Sequence, residues 1–135
     1  MGLYGSPTTV VITGKGYLGV ETLTPNSTLQ VAGSVSVPYS TVNTSGAYTL
    51  TASDHTIRRF GSVTSIVFPD ATTCQGREYT IIASQGTGAL TLTTTSSQYI
   101  YDDVTNTHFE STGLPANSRI TVQSDGTGGW IVIGN

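Results

Sequence analysis

Three observations predict an all-β protein. Only 10% of the 135 residues are charged and 36% are apolar, both below the globular averages of about 25% and about 45–50%. Thr, Ser and Gly fill the difference. Disorder asks for high charge and few β-branched residues, whereas this chain is rich in Thr, Val, Ile and Tyr, which fit a pleated surface. Second, apolar and polar residues alternate over short runs, as in Leu90-Thr91-Leu92, the period of a strand with one buried face. Third, such runs recur at intervals of about 8–12 residues between Gly, Pro, Asn and Asp turns, the spacing of a sandwich or barrel.

The stretch 65–84 organises the rest. Ile66-Val67-Phe68 ends at Pro69, which cannot donate to a sheet ladder. Asp70 and Ala71 enter a loop, Gly76-Arg77 reopens the chain, and Tyr79 to Ile82 form the next strand. Phe68, Tyr79 and Ile81 are expected in the core, with Pro69 and Gly76 shaping the loop. Arg77 is expected to pin that loop, by reaching Asp70 or a neighbouring chain.

Before this centre lie short β runs at Thr8 to Thr13 and around Leu29 and Val31, broken by Gly14-Lys15-Gly16, Gly19, Pro25-Asn26 and Gly33. Runs this short cannot bury a core by themselves, so an extended arm is expected over residues 1–42. The Ser/Thr-rich stretch 38–46 reads as the hinge. From residue 43 to 135 the strands follow regularly: Ala47 to Thr51, His55 to Phe60, Val63 to Phe68, Glu78 to Ala83, Ala89 to Thr93, Tyr99 to Tyr101, Thr107 to Glu110, Arg119 to Ser124 and Trp130 to Ile133. Residues 113–117 read as a loop.

Several function classes are disfavoured. The net charge is −3 and the four arginines and one lysine form no run, so no electrostatic footprint for nucleic acid exists. Cys74 is the single cysteine; no intrachain disulfide can form, and an inert small residue is expected there. No apolar run approaches the ~18 residues of a membrane span, and the first 16 residues lack the basic and long apolar segments of a signal peptide. A soluble chain made in a cytosol is expected. Asp102-Asp103 is the one acidic pair. Neighbours in a strand face opposite ways, so a solvated turn is the expectation rather than a glycosidase pair or a calcium site. His55 and His108 are too few and scattered for a metal site within one chain, although a trimer axis would triplicate either one. No Gly-x-Ser-x-Gly elbow or phosphate loop appears. Trp130 is expected in the core. Tyr99 and Tyr101, with Asp102 beside them, form either a sugar-binding shelf or a buried interface.

Two stretches resemble bacteriophage proteins. Leu18-Gly19-Val20, then Thr22, Thr24-Pro25, Leu29-x-Val31 and Gly33, is similar to a motif of phage fibre proteins. Glu21 departs from it, standing where that family often has glycine. Further on come Tyr48-x-Leu50, Asp54, Phe68-Pro69-x-Ala71, Gly76-Arg77-x-Tyr79-x-Ile81, Leu90-x-Leu92 and Ser124-Asp125-Gly126 before Trp130. This order resembles the small β-sandwich head of phage tail fibres and decoration proteins. Departures are Phe68, where leucine is commoner, and the stretch 100–103.

The resemblance implies a homotrimer, a reading the low charge also suits. Each chain would have an N-terminal β arm or stalk (1–42) and an antiparallel, jelly-roll-like β-sandwich head (43–135). It implies a non-enzymatic virion protein displayed on the capsid or fibre surface and made in the host bacterial cytoplasm. A capsid decoration protein or short head fibre suits a chain this short. The arm residues Val10, Val11, Ile12, Leu18, Val20, Leu29 and Val31 would attach it to the major capsid protein or another virion protein. The alternative is a tail-fibre tip that binds host surface carbohydrate through Tyr99, Tyr101 and Asp102. No cofactor, nucleic acid or membrane partner is expected.

Overall fold

Val10–Ile12 (β1) and Leu18–Val20 (β2) pair antiparallel, with Ile12 opposite Leu18. The turn between them closes with Gly16 N–H donating to the Thr13 carbonyl at 2.9 Å, and Gly16 takes φ 78°, a conformation open to glycine. Leu29–Val31 (β3) then lies parallel to β2, Leu29 opposite Leu18. The computed structural model describes residues 9–84 and 88–135, and the chain divides into two units, residues 1–36 and 37–135. These three short strands are the whole regular structure described in the first unit. Residues 34–38 form no strand.

The second unit contains two sheets around one core. The strands are Tyr39–Val42 (β4), Gly46–Thr49 (β5), Thr56–Arg59 (β6), Val63–Phe68 (β7), Glu78–Ala83 (β8), Leu90–Thr94 (β9), Tyr99–Asp102 (β10), Thr107–Phe109 (β11), Ser111–Leu114 (β12), Ser118–Ser124 (β13) and Gly129–Gly134 (β14). The larger sheet has the order β11-β10-β14-β13-β8-β6-β4, and the smaller β12-β9-β7-β5.

Three expectations are corrected here. The sandwich is not antiparallel throughout. From β4 to β9 successive strands alternate between the two sheets, so the chain winds round the core and re-enters each sheet in the same direction. Consequently β4, β6 and β8 are mutually parallel neighbours, as are β5, β7 and β9. Hairpins alone would have made them antiparallel. Antiparallel pairing appears where the chain turns straight back, at β10–β11 and β13–β14, and where β13 meets β8 and β12 meets β9. Second, β4 lies in residues assigned to the arm and hinge, yet it is an edge strand of the larger sheet, with Tyr39 opposite Thr56. Third, residues 111–114, read partly as a loop, form β12, pairing with β9.

Strand alternation sets the core. Val63, Ile66 and Phe68 of β7, Tyr79, Ile81 and Ala83 of β8, and Ile120, Val122 and Ser124 of β13 are buried. Leu50, Ile57, Leu90, Leu92, Ile100 and Trp130 complete the interior. At its centre three aromatic rings meet, with Phe68–Trp130 centroids 5.2 Å apart and Tyr79–Trp130 centroids 5.4 Å apart, both tilted. Tilted rings at this separation suit the aromatic quadrupole. The Trp130 indole N–H donates to the Pro69 carbonyl at 3.3 Å, and the Tyr79 hydroxyl to the Thr51 carbonyl at 2.8 Å.

The loop after Pro69 is a polar knot at the surface, with Ala71 and Cys74 buried beneath it. Asp70 caps a short 3-10 turn, Ala71–Thr73, accepting from Thr72 N–H at 2.9 Å. Gln98 reaches in from before β10: its Oε1 accepts from Ala71 N–H at 2.9 Å and its Nε2 donates to Asp70 at 2.6 Å. The Ser124 hydroxyl donates to the Ala71 carbonyl at 2.7 Å. Gly76, at φ 76°, donates to the Ser124 carbonyl at 3.0 Å and returns the chain to the sheet.

Candidate functional site

Three surfaces of the described residues carry the side chains to which sequence reasoning points. The first is the three-stranded N-terminal sheet. It gathers Val10, Val11, Ile12, Leu18, Val20, Leu29 and Val31 into one ribbon. Val10, Ile12 and Leu29 are 61%, 76% and 59% exposed, while the other four are half-buried. Leu23 and Val35 of the same unit are also exposed. Among the described residues, every apolar residue of the buried core cluster lies at position 42 or beyond. Backbone hydrogen bonds tie the first unit together, Leu18 N–H donating to the Thr28 carbonyl at 2.8 Å and Ala32 N–H to the Val20 carbonyl at 2.9 Å; the chain folds closely at Gly19, where a Cβ would meet the Thr22 carbonyl at 2.5 Å. Glu21 adopts φ 59°, the left-handed region that favours glycine.

The second surface is an aromatic shelf. Tyr99 and Tyr101 are two residues apart on β10, so their side chains share one face. Their ring centroids lie 6.0 Å apart. His108, opposite Tyr101 on β11, meets the Tyr101 ring edge-on at 4.7 Å. Tyr99 and His108 are exposed and Tyr101 half-buried. Asp102 closes the strand: its Oδ1 accepts from Val104 and Thr105 N–H at 3.1 and 3.2 Å, making a side-chain-capped turn. Asp103 is exposed in that turn, so the two carboxylates do not converge on one point. Sequence reasoning missed His108 as a partner of this shelf, because the β10–β11 register is not visible in either strand alone.

The third surface was not foreseen. On the outer face of the larger sheet, Arg119, Ile82 and Arg58 stand in one row across β13, β8 and β6. They border an open cleft of about 820 Å3 with Leu114, Pro115 and Ile120. The Arg58 Nε donates to the Ser84 hydroxyl at 3.0 Å, and its guanidinium lies 5.8 Å from the centre of the Phe60 ring. Strand alternation carried the signal: Ile57 faces the core, so Arg58 must face out and Arg59 in.

Arg59 is indeed 1% exposed. Its Nη1 donates to the Val63 carbonyl at 3.2 Å and its Nη2 to the Gly88 carbonyl at 2.6 Å. Arg77, expected to reach Asp70 or another chain, lies by the Tyr79 hydroxyl instead of Asp70, and this neighbour strengthens its hold on its proton. Asp70 is occupied by Thr72 and Gln98, and these donors hold its carboxyl below the ordinary carboxylate range. For Asp125, burial pushes the carboxyl up, but the backbone N–H groups of Thr127, Gly129 and Gly128 outweigh it and the net direction is down. Tyr48 is pushed up by burial and by Asp54, to which its hydroxyl donates at 3.1 Å. Among the described residues no three His, Cys, Asp or Glu side chains gather as metal ligands would. His55 Nδ1 pairs with the Thr56 hydroxyl at 3.1 Å.

Comparison with protein-family models, with curated proteins and with solved structures gave no match.

Proposed function

We propose that this chain is a non-enzymatic structural protein of a tailed-phage particle, a homotrimeric capsid decoration protein or short head fibre. One observation carries the reading: the first unit folds into strands yet leaves Val10, Ile12, Leu23, Leu29 and Val35 exposed. Exposed Val, Ile and Leu of this kind gain about 1.5–3 kcal/mol each when fully covered, before association costs are subtracted. A segment with this surface is built to lie against another protein. Three such arms on one trimer would bind multivalently, so that weak single contacts give lasting attachment. The left-handed Glu21 adds support, since it occupies the position where the resembled fibre motif often has glycine.

Deleting residues 1–36 tests the proposal. The remaining chain is expected to keep its buried-tryptophan emission and to lose binding to purified particles. Particles carrying the full chain are expected to melt at a higher temperature than bare ones. Retained particle binding by the truncated chain would overturn the arm's role.

A second reading, a fibre tip that binds host carbohydrate, is favoured by the shelf of Tyr99, Tyr101 and His108. It predicts that the truncated chain binds host cells and that Tyr99→Ala abolishes that binding. Cell binding indifferent to Tyr99 would remove this reading.

A further inference from the structure

We propose that the Arg58–Arg119 cleft is the seat for the acidic turn Asp103-Val104 of a second copy of this chain, and that this contact closes the trimer. The inference rests on the homotrimeric reading above and names its interface. Two complementary features lie on one molecule. The cleft presents two outward arginines over an apolar floor of Ile82, Leu114 and Pro115. All eight acidic residues of the chain are among those described, and none lines it. Arg58 spends its Nε on the Ser84 hydroxyl, and both it and Arg119 are exposed to solvent. The strand spacing of ~4.8 Å places Arg58 and Arg119 about 10 Å apart at the backbone. A carboxylate and a small apolar side chain fit between them.

The turn after β10 supplies both. Asp103 is exposed, and Val104 is 94% exposed, the most exposed large apolar residue described. Asp102 shapes this turn through its bonds to Val104 and Thr105, so it is presented in one conformation. An apolar side chain held outward beside a carboxylate matches an apolar floor flanked by guanidinium groups, which favour carboxylates geometrically.

Placement also favours ring closure. β10 runs parallel to β14, and β14 antiparallel to β13. The turn after Asp102 and the start of β13, where Arg119 stands, therefore share one end of the larger sheet. A rotation about an axis along the strands carries one feature onto the other without a climb. Head-to-tail contacts of that kind close into a ring, whereas contacts at different heights generate a filament.

Sedimentation of the full-length chain tests this. The unaltered chain is expected to run as a trimer. Asp103→Arg, Arg119→Asp and Val104→Asp are each expected to raise the concentration at which the trimer half-dissociates by at least ~10-fold, because like charges or a buried carboxylate then face each other. Asp103→Arg combined with Arg119→Asp is expected to restore assembly, which a merely destabilised monomer would not do. Val104→Asp changes a side chain in solvent and keeps the test valid if either arginine variant folds poorly, as circular dichroism would reveal. Trimers unaffected by all three single changes, or no rescue by the double reversal, would overturn the contact while leaving the trimer standing. An unaltered chain that stays monomeric at every concentration would overturn both.

Discussion

The Tyr101 ring lies directly over Gly129, where a Cβ would collide with it and would stand 3.0 Å from the Asp125 carboxylate. β10 and β14 are parallel neighbours, and Tyr101 leans across the gap that the missing side chain leaves. Gly129→Ala is expected to push the ring off its seat, at the ~1–3 kcal/mol of an overpacked site. The near-ultraviolet tyrosine signal and the melting temperature should change together. An unchanged spectrum would show that the ring does not depend on Gly129.

Phe68, Tyr79 and Trp130 form the middle of the core, and Phe68 is wholly buried. Phe68→Ala is expected to cost about 3–5 kcal/mol through lost transfer energy and a residual cavity. Trp130 is the sole tryptophan, so its emission reports the event, and denaturant titration followed by fluorescence gives the magnitude.

The two engaged arginines should differ. Removing Arg59 strands the Val63 carbonyl in the interior and loses the bond to the exposed Gly88 carbonyl, and bonds from a charged donor are worth about 1.5–3 kcal/mol each. Arg77 is half-buried and supports a Tyr79 hydroxyl that already donates to Thr51. Arg59→Ala is therefore expected to lower the melting temperature several times more than Arg77→Ala. The reverse order would refute this division of roles. A fall of about 1 kcal/mol is expected for Arg77→Ala, the size of one ordinary hydrogen bond.

Acid stability should depend on Asp125. Its carboxyl titrates below the ordinary range in the folded state, so the folded form binds its proton less readily than the unfolded form. The stabilisation is present above the unfolded value of about 3.9 and is lost as pH falls through the lower folded value. Asp125→Asn cannot titrate. Its melting temperature is expected to fall less steeply than that of the unaltered chain between pH ~5 and ~2.5. Parallel curves would assign the acid sensitivity elsewhere, Asp70 being the next carboxylate held low.

Much of the head was legible residue by residue. Alternation in Ile66–Phe68, Glu78–Ala83 and Ser118–Ser124 marks which side chains turn inward, because a strand's period of two is a local property. The loop from Pro69 to Gly76 was legible through its breakers. Its internal bonds were not, since Gln98 and Ser124 arrive from distant strands. The shelf was half legible: Tyr99 and Tyr101 share a strand, whereas His108 joins them only through the register of β10 on β11.

By itself, the sequence determined the all-β class and, where residues alternate as in Leu90-Thr91-Leu92, which face of a strand turns inward. Only the tertiary structure decided which strands are neighbours. Spacing between β runs is the same whether the chain turns back in a hairpin or crosses to the opposite sheet, yet the first choice gives antiparallel pairs and the second gives the parallel winding of β4 to β9. That choice lines up Arg58, Ile82 and Arg119 from three separate strands. The row depends on contacts between residues far apart in the chain, so no local pattern could have announced it.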